Sequence, residues 1–96
     1  MDNAGFIEAQ QFCLVHNIEY SFIQSLNDYG LIEIRQDGTA TWIPEQEVQP
    51  LEKYIRLHFD MEINIEGIHA ISHLLKQMSR MEEEILQLRR KLALYE

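Results

Sequence analysis

Ninety-six residues, 46% hydrophobic and 25% charged, make one small folded domain with at most an appended helix, and exclude a disordered chain. No apolar run approaches the ~20 residues of a membrane span, and MDNAGFIEAQ at the start lacks the basic and apolar stretches of a secretory signal, so a cytoplasmic protein is expected. The net charge of −8 falls wholly in the first half: residues 1–52 hold nine acids against Arg35 alone, while residues 53–96 hold seven of each sign. A field of that sign repels phosphate and attracts basic protein surfaces.

Residues 8–16, EAQQFCLVH, place Ala9, Phe12 and Cys13 at i, i+3 and i+4, one face of a helix, with Val15 on its border. Cys13 is the single cysteine and has no cation near it in sequence, which reads as a core thiol rather than a reactive one. Asn17 tolerates the left-handed backbone of a tight turn, and Ile18 plugs the corner. A second helix runs from about Glu19 to Tyr29, with Phe22, Ile23 and Leu26 on one face and Gly30 as its stop. Two helices joined by so short a turn make a helix-turn-helix.

LIEIR and TATWI flank QDG, and their alternation about Asp37-Gly38 predicts a two-stranded wing over residues 31–43. Trp42 is expected to pack on the helices, with an exposed anchor for a partner as the other reading. Pro44 suits the first turn of a third helix over about residues 45–60, with Val48, Leu51, Tyr54 or Ile55, and Phe59 facing inward. DMEIN breaks that helix, and Asn64 caps the next, which opens at Ile65.

The last helix carries the most specific pattern in the chain. Taking Ile71 as heptad position a puts Ile71, Met78, Ile85 and Leu92 at a, and Leu74, Met81, Leu88 and Tyr95 at d. A helix of that length outreaches what a small domain can cover, so these eight residues predict a coiled coil and a homodimer. A parallel pair would match Glu84 with Arg89 and Lys91 with Glu96, but exposed pairs of this kind are weak, and the orientation stays open. The expected division is a winged head with its third helix over residues 1–63 and the dimerising helix over residues 64–96.

Signatures of catalysis are missing. His69 and His73 stand at i, i+4, but no third ligand has a recognisable spacing, so no metal is expected. There is no glycine-rich phosphate loop and no nucleophile signature, and Glu82, Glu83 and Glu84 fall at e, f and g, the solvated flank of a coil. A non-enzymatic protein without cofactor is the expectation.

The order of helix-turn-helix, wing, helix and long coiled-coil helix resembles the MerR regulators: YGLIEI is similar to that family's helix end and wing start, and TWIPEQEVQPLEKYIRLHFDMEINIEGI to its wing end and following helices. Those regulators typically carry Arg-Tyr-Tyr in the recognition helix, where this chain has Gln24, Ser25 and Leu26, and Gly-Tyr-Arg in the wing, where it has Gly38, Thr39 and Ala40. A closer similarity is to the chaperone-modulator branch of the fold, the CbpM family, whose successive blocks FCLVHNI, YGLIEI with TWIPEQEV, and IRLHFDMEINIEGI resemble, as LKQMSRMEEEILQLRRKL resembles its terminal helix. That resemblance implies binding to, and inhibition of, the J-domain of a DnaJ-like co-chaperone such as CbpA. J-domains present a basic helix to the acidic surface of the chaperone DnaK, and an acidic head matches that charge.

The expectation is therefore a mainly α protein: a MerR-like winged helix-turn-helix with a small β-hairpin wing and a long C-terminal coiled-coil helix. J-domain contacts are expected at Glu19, Gln24, Asp28, Glu33, Asp37 and Trp42. The alternatives are a MerR-like DNA-binding transcriptional regulator and an adaptor with another partner. A DNA binder holds roughly 6–10 phosphates, mostly by Lys and Arg, for which the helix-turn-helix and wing supply Arg35 alone.

Overall fold

The computed structural model describes residues 5–95. Four helices and a three-stranded sheet follow in the order β1 (Phe6–Glu8), α1 (Ala9–His16), α2 (Tyr20–Asp28), β2 (Arg35–Asp37), β3 (Ala40–Pro44), a 3-10 turn (Glu45–Glu47), α3 (Val48–Phe59) and α4 (Ile65–Ala93).

α1 begins where the Glu8 carboxylate accepts the Gln11 N–H at 3.3 Å. Its i, i+3, i+4 residues Ala9, Phe12 and Cys13 are buried, while Val15 falls outside the face and is 75% exposed. Asn17 takes a positive φ of 55°, which turns the chain so that Ile18 closes the corner. α2 buries Phe22, Ile23 and Leu26. It ends in a Schellman motif: Gly30 sits at φ 73° and the Leu31 N–H reaches back to the Leu26 carbonyl at 2.9 Å.

The sheet differs from the two-stranded expectation. Its order is β1-β3-β2, with β1 pairing antiparallel to β3 through Phe6↔Pro44, Ile7↔Ile43 and Glu8↔Trp42. Residues 31–34 are not a strand: Ile32 is buried, Leu31 and Ile34 pack on the core, and the Glu33 N–H is taken by the Glu47 carboxylate at 2.7 Å. The wing strand shrinks to Arg35–Asp37, and the hairpin loop is Gly38-Thr39. Of these two only Gly38 has a positive φ (64°), as a type II′ turn requires. Pro44 closes β3 instead of opening α3, and the 3-10 turn intervenes.

α3 directs Leu51 and Tyr54 inward, with Val48 and Ile55 packed beside them. Phe59 was expected inside but is 51% exposed; as the last helical residue it sits at the rim, its ring 5.4 Å from Phe22 and edge-on to His58. Asn64 caps α4 by accepting the Gly67 N–H at 2.8 Å. The first turns of α4 belong to the core, where Ile68 is fully buried and Ser72 Oγ lies 3.5 Å from the Tyr54 hydroxyl. Ile23, Leu26, Ile32, Ile43, Leu51 and Ile68 are the largest fully buried side chains among the described residues and join the elements, each contributing about 1.5–3 kcal/mol.

From Leu74 onward α4 leaves the head. Leu74, Met78, Met81, Ile85, Leu88 and Leu92 are 48–64% exposed, and Tyr95 more so. Ile71, where the heptads start, is half-buried. The projection gives the molecule its 60 Å long axis. Among the described residues no helix is long and apolar enough to cross a membrane.

Candidate interaction surface

α2 presents a polar row. Tyr20, Gln24 and Asp28 stand four residues apart on one face. The Tyr20 hydroxyl meets Gln24 Oε1 at 3.3 Å and Thr41 Oγ1 at 3.0 Å, and Gln24 Nε2 donates to Asp28 Oδ1 at 3.1 Å. Both ends of the Gln24 amide are thus engaged, and its work is to orient Asp28 and lock α2 to β3. Glu19, at the N-cap, is exposed and accepts the Ser21 hydroxyl at 3.4 Å. Asp28 ends the helix at the pole where the macrodipole disfavours a carboxylate.

The sheet supplies a second facet. Successive side chains alternate between faces, and Ile43 is fully buried while Ile7 packs on the core. Trp42 therefore points to the outer face, together with Phe6 and Glu8 of β1 and Arg35 and Asp37 of β2, its neighbours by register. The expectation that Trp42 packs on the helices is corrected by that register: it is half-buried and stands apart from the hydrophobic core. Its indole N–H is enclosed and finds no acceptor among the described residues. The Arg35 guanidinium lies 5.8 Å from the centre of the Phe6 ring, a cation–π arrangement that draws this cation onto the protein's own surface.

The predicted partner residues thus form two facets and two outliers. Gln24 and Asp28 are in contact, Asp37 and Trp42 share the outer sheet face, Glu19 stands exposed at the other end of α2, and Glu33 stands exposed on the loop before β2. The Tyr20–Thr41 hydrogen bond ties α2 to β3 from the other side of the sheet, since Thr41 alternates with Trp42. Sequence reasoning missed Tyr20, although its i, i+4 spacing to Gln24 was readable, and missed Phe6, whose strand has no local signal.

Positive charge gathers elsewhere. An open groove of about 1100 Å³ between α3 and α4 is lined by Lys53, Arg56, Lys76 and Arg80, with Glu52 its one acid. His73 also lines it, whereas His69 lies 5.8 Å from Tyr29. Among the described residues no group of three or more His, Cys, Asp or Glu side chains is placed to hold a metal.

One contact ties α2's end to α4: the Tyr29 hydroxyl donates to Glu66 Oε1 at 2.9 Å. That bond and the nearby carboxylate charge raise the Tyr29 pKa. The Glu66 pKa is lowered, first by a backbone hydrogen bond and then by Tyr29. Burial, with the Glu8 charge behind it, raises the Cys13 pKa.

A family model described as "MerR HTH family regulatory protein" matches residues 7–90, which take in every element but the first residue of β1 and the last three of α4. No curated protein matches the chain, and no solved structure does.

Proposed function

The chain belongs to the MerR helix-turn-helix family of regulatory proteins, and from that premise we propose that it regulates by binding protein: a dimeric, non-enzymatic cytoplasmic modulator that covers the basic J-domain of a DnaJ/CbpA-like co-chaperone and competes with DnaK. The observation that carries this reading is the charge of the elements that a helix-turn-helix offers to a ligand. α2, the wing and the loop between them expose Glu19, Asp28, Glu33 and Asp37, and their sole cation, Arg35, leans on Phe6. A surface of that sign speeds encounter with a basic helix and slows encounter with a polyanion, and salt weakens both effects. The outward Trp42 adds an aromatic of the kind enriched in interfaces.

Family membership itself favours a second reading, a DNA-binding transcriptional regulator. On that reading backbone amides and hydroxyls such as Ser21 and Thr39 would have to replace the missing cations on phosphate, against the surrounding field.

Titrating the purified full-length protein with a J-domain, and separately with duplex DNA from beside its own gene, distinguishes the two. The protein reading expects J-domain binding that weakens as salt rises, and no DNA binding at sub-micromolar protein in physiological salt. Tight, sequence-selective DNA binding with an indifferent J-domain would overturn it.

A further inference from the structure

The groove between α3 and α4 inverts the sign of the head. Lys53 and Arg56 stand on its α3 wall and Lys76 and Arg80 on its α4 wall, against Glu52 as the one acid of the lining. Four cations against one acid leave a formal charge of +3 there, on a chain whose net charge is −8. We propose that this groove is a second docking site, separate from the acidic head. Its ligand is a short amphipathic helix of a partner protein, apolar along one row and acidic on both flanks of that row.

The depth of the side chains sets floor apart from rim. Tyr54 and Ser72 line the groove and are buried, and their hydroxyls lie 3.5 Å apart, which ties the two walls together. Leu57, Ile71 and Leu75 line it beside them and are only partly covered. All four cations are exposed. The groove is therefore apolar below and cationic along both edges, a pairing that a simple anion does not use.

The dimensions suit a helix of two to three turns. The lining runs from Gln49 to Leu57 on α3 and from Ile71 to Arg80 on α4, about 13 Å of helix at 1.5 Å per residue. A helix laid in a groove of that length offers anchors at i, i+3, i+4 and i+7. Lys53 and Arg56 are spaced i, i+3, and Lys76 and Arg80 i, i+4, so each rim carries two cations one turn apart on one side of its helix. A guest with acids one turn apart on both flanks meets both rims at once.

A polynucleotide fits less well. Its charge continues beyond the groove, while the basic patch is bracketed in sequence by Glu45 and Glu47 before Gln49 and by Glu82–Glu84 after Arg80. Those acids are felt once the strand runs a Debye length of about 8 Å past the cations. Leu57, Ile71 and Leu75 also offer a phosphate backbone nothing. The groove is distinct, too, from the exposed apolar row of α4: of that row only Ile71 lines it, and Leu74, Met78 and Met81 do not. The site is thus open whether or not that row is covered.

Subtractive selection tests this in the full-length protein. A phage-displayed library of helical peptides is depleted on the Lys53→Glu/Lys76→Glu double variant and then panned on wild type, so that only groove binders remain. The expected sequences carry Leu, Ile or Phe at i, i+3 and i+4 with Asp and Glu on both flanks. No enrichment, or enriched peptides without acids or without the apolar row, would overturn the proposal. One enriched peptide, synthesised and labelled, should bind wild type less tightly as salt rises. The double variant should weaken it at least about tenfold, with helicity by circular dichroism unchanged.

Leu75→Ser separates floor from rim: it should weaken the same peptide by about fivefold and leave the salt dependence as it was. Labelled duplex DNA and single-stranded RNA of random sequence form the other arm. Tight binding of either, lost in the double variant and indifferent to Leu75→Ser, would seat a polynucleotide in the groove and sink the proposal. A J-domain titration checks that the two sites are separate, since the double variant should leave it unchanged. A J-domain affinity that fell with the groove charges would merge the sites and refute a second one.

Discussion

In the winged head, residues 5–59, a core is turned in and the acids are turned out: Ile23, Leu26, Ile32, Ile43 and Leu51 are fully buried, and Glu19, Asp28, Glu33 and Asp37 are exposed. In the outer half of α4 the apolar row itself is outside, half-exposed from Leu74 to Leu92, and the five bases Lys76, Arg80, Arg89, Arg90 and Lys91 outnumber the three acids Glu82, Glu83 and Glu84. The head closes its own core and writes its selectivity in charge. The coil has no core of its own, and a lone helix without tertiary packing is marginal in water. The head thus has a closed core and the outer half of α4 an uncovered apolar row, and the two should break independently.

The largest break is expected in the coil. On the proposed dimeric reading Ile85→Asp would bury a carboxylate in the seam, at a cost of several kcal/mol per dimer. Light scattering should then report a monomer while the melting of the head persists. Head and coil exchange roles in the next variant: Ile23→Ala removes a fully buried side chain and should cost the head about 2–5 kcal/mol in denaturant unfolding. An unchanged midpoint would mean that the helix-turn-helix core is not what holds the head.

Smaller, but decisive for function, is reversal of the acid surface. Lys at positions 28, 33 and 37 in place of Asp28, Glu33 and Asp37 should lower J-domain affinity at least about tenfold, or ~1.4 kcal/mol, and flatten its salt dependence. Equal affinity in calorimetry would remove those three residues from the interface.

The smallest effect concerns the bond between head and coil. Tyr29→Phe, which breaks an exposed hydrogen bond to Glu66, should leave the melting temperature nearly unchanged at neutral pH. The bond's contribution is present below the ordinary tyrosine pKa and is lost as pH rises through the raised Tyr29 value. On the acid side it is present above the ordinary glutamate pKa and is lost as pH falls through the lowered Glu66 value. A difference between wild type and variant that grew at neutral pH would contradict this.

Much of the architecture was readable because it is periodic or capped. The i, i+3, i+4 faces of α1 and α2, the Asn17 and Gly30 turns and the Asn64 cap all stand where their local chemistry puts them. What escaped needed partners far along the chain. β1 is three residues long, too short for any period, and exists because β3 offers it an edge. LIEI alternates like a strand, yet Ile32 is claimed by the core and the Glu33 N–H by Glu47, so the ladder starts only at Arg35. The outward turn of Trp42 follows from that pairing register. The meeting of Lys53 and Arg56 with Lys76 and Arg80 follows from the packing of α3 on α4 and has no trace in local sequence.

The position of Trp42 has a practical consequence. It is the one tryptophan in the chain, half out of the solvent on the outer sheet face between Glu8 and Arg35. Its emission spectrum is therefore a native optical gauge of that facet: a ligand that docks there shifts and brightens or quenches the indole signal, while assembly through α4 leaves the colour of the protein's fluorescence as it was.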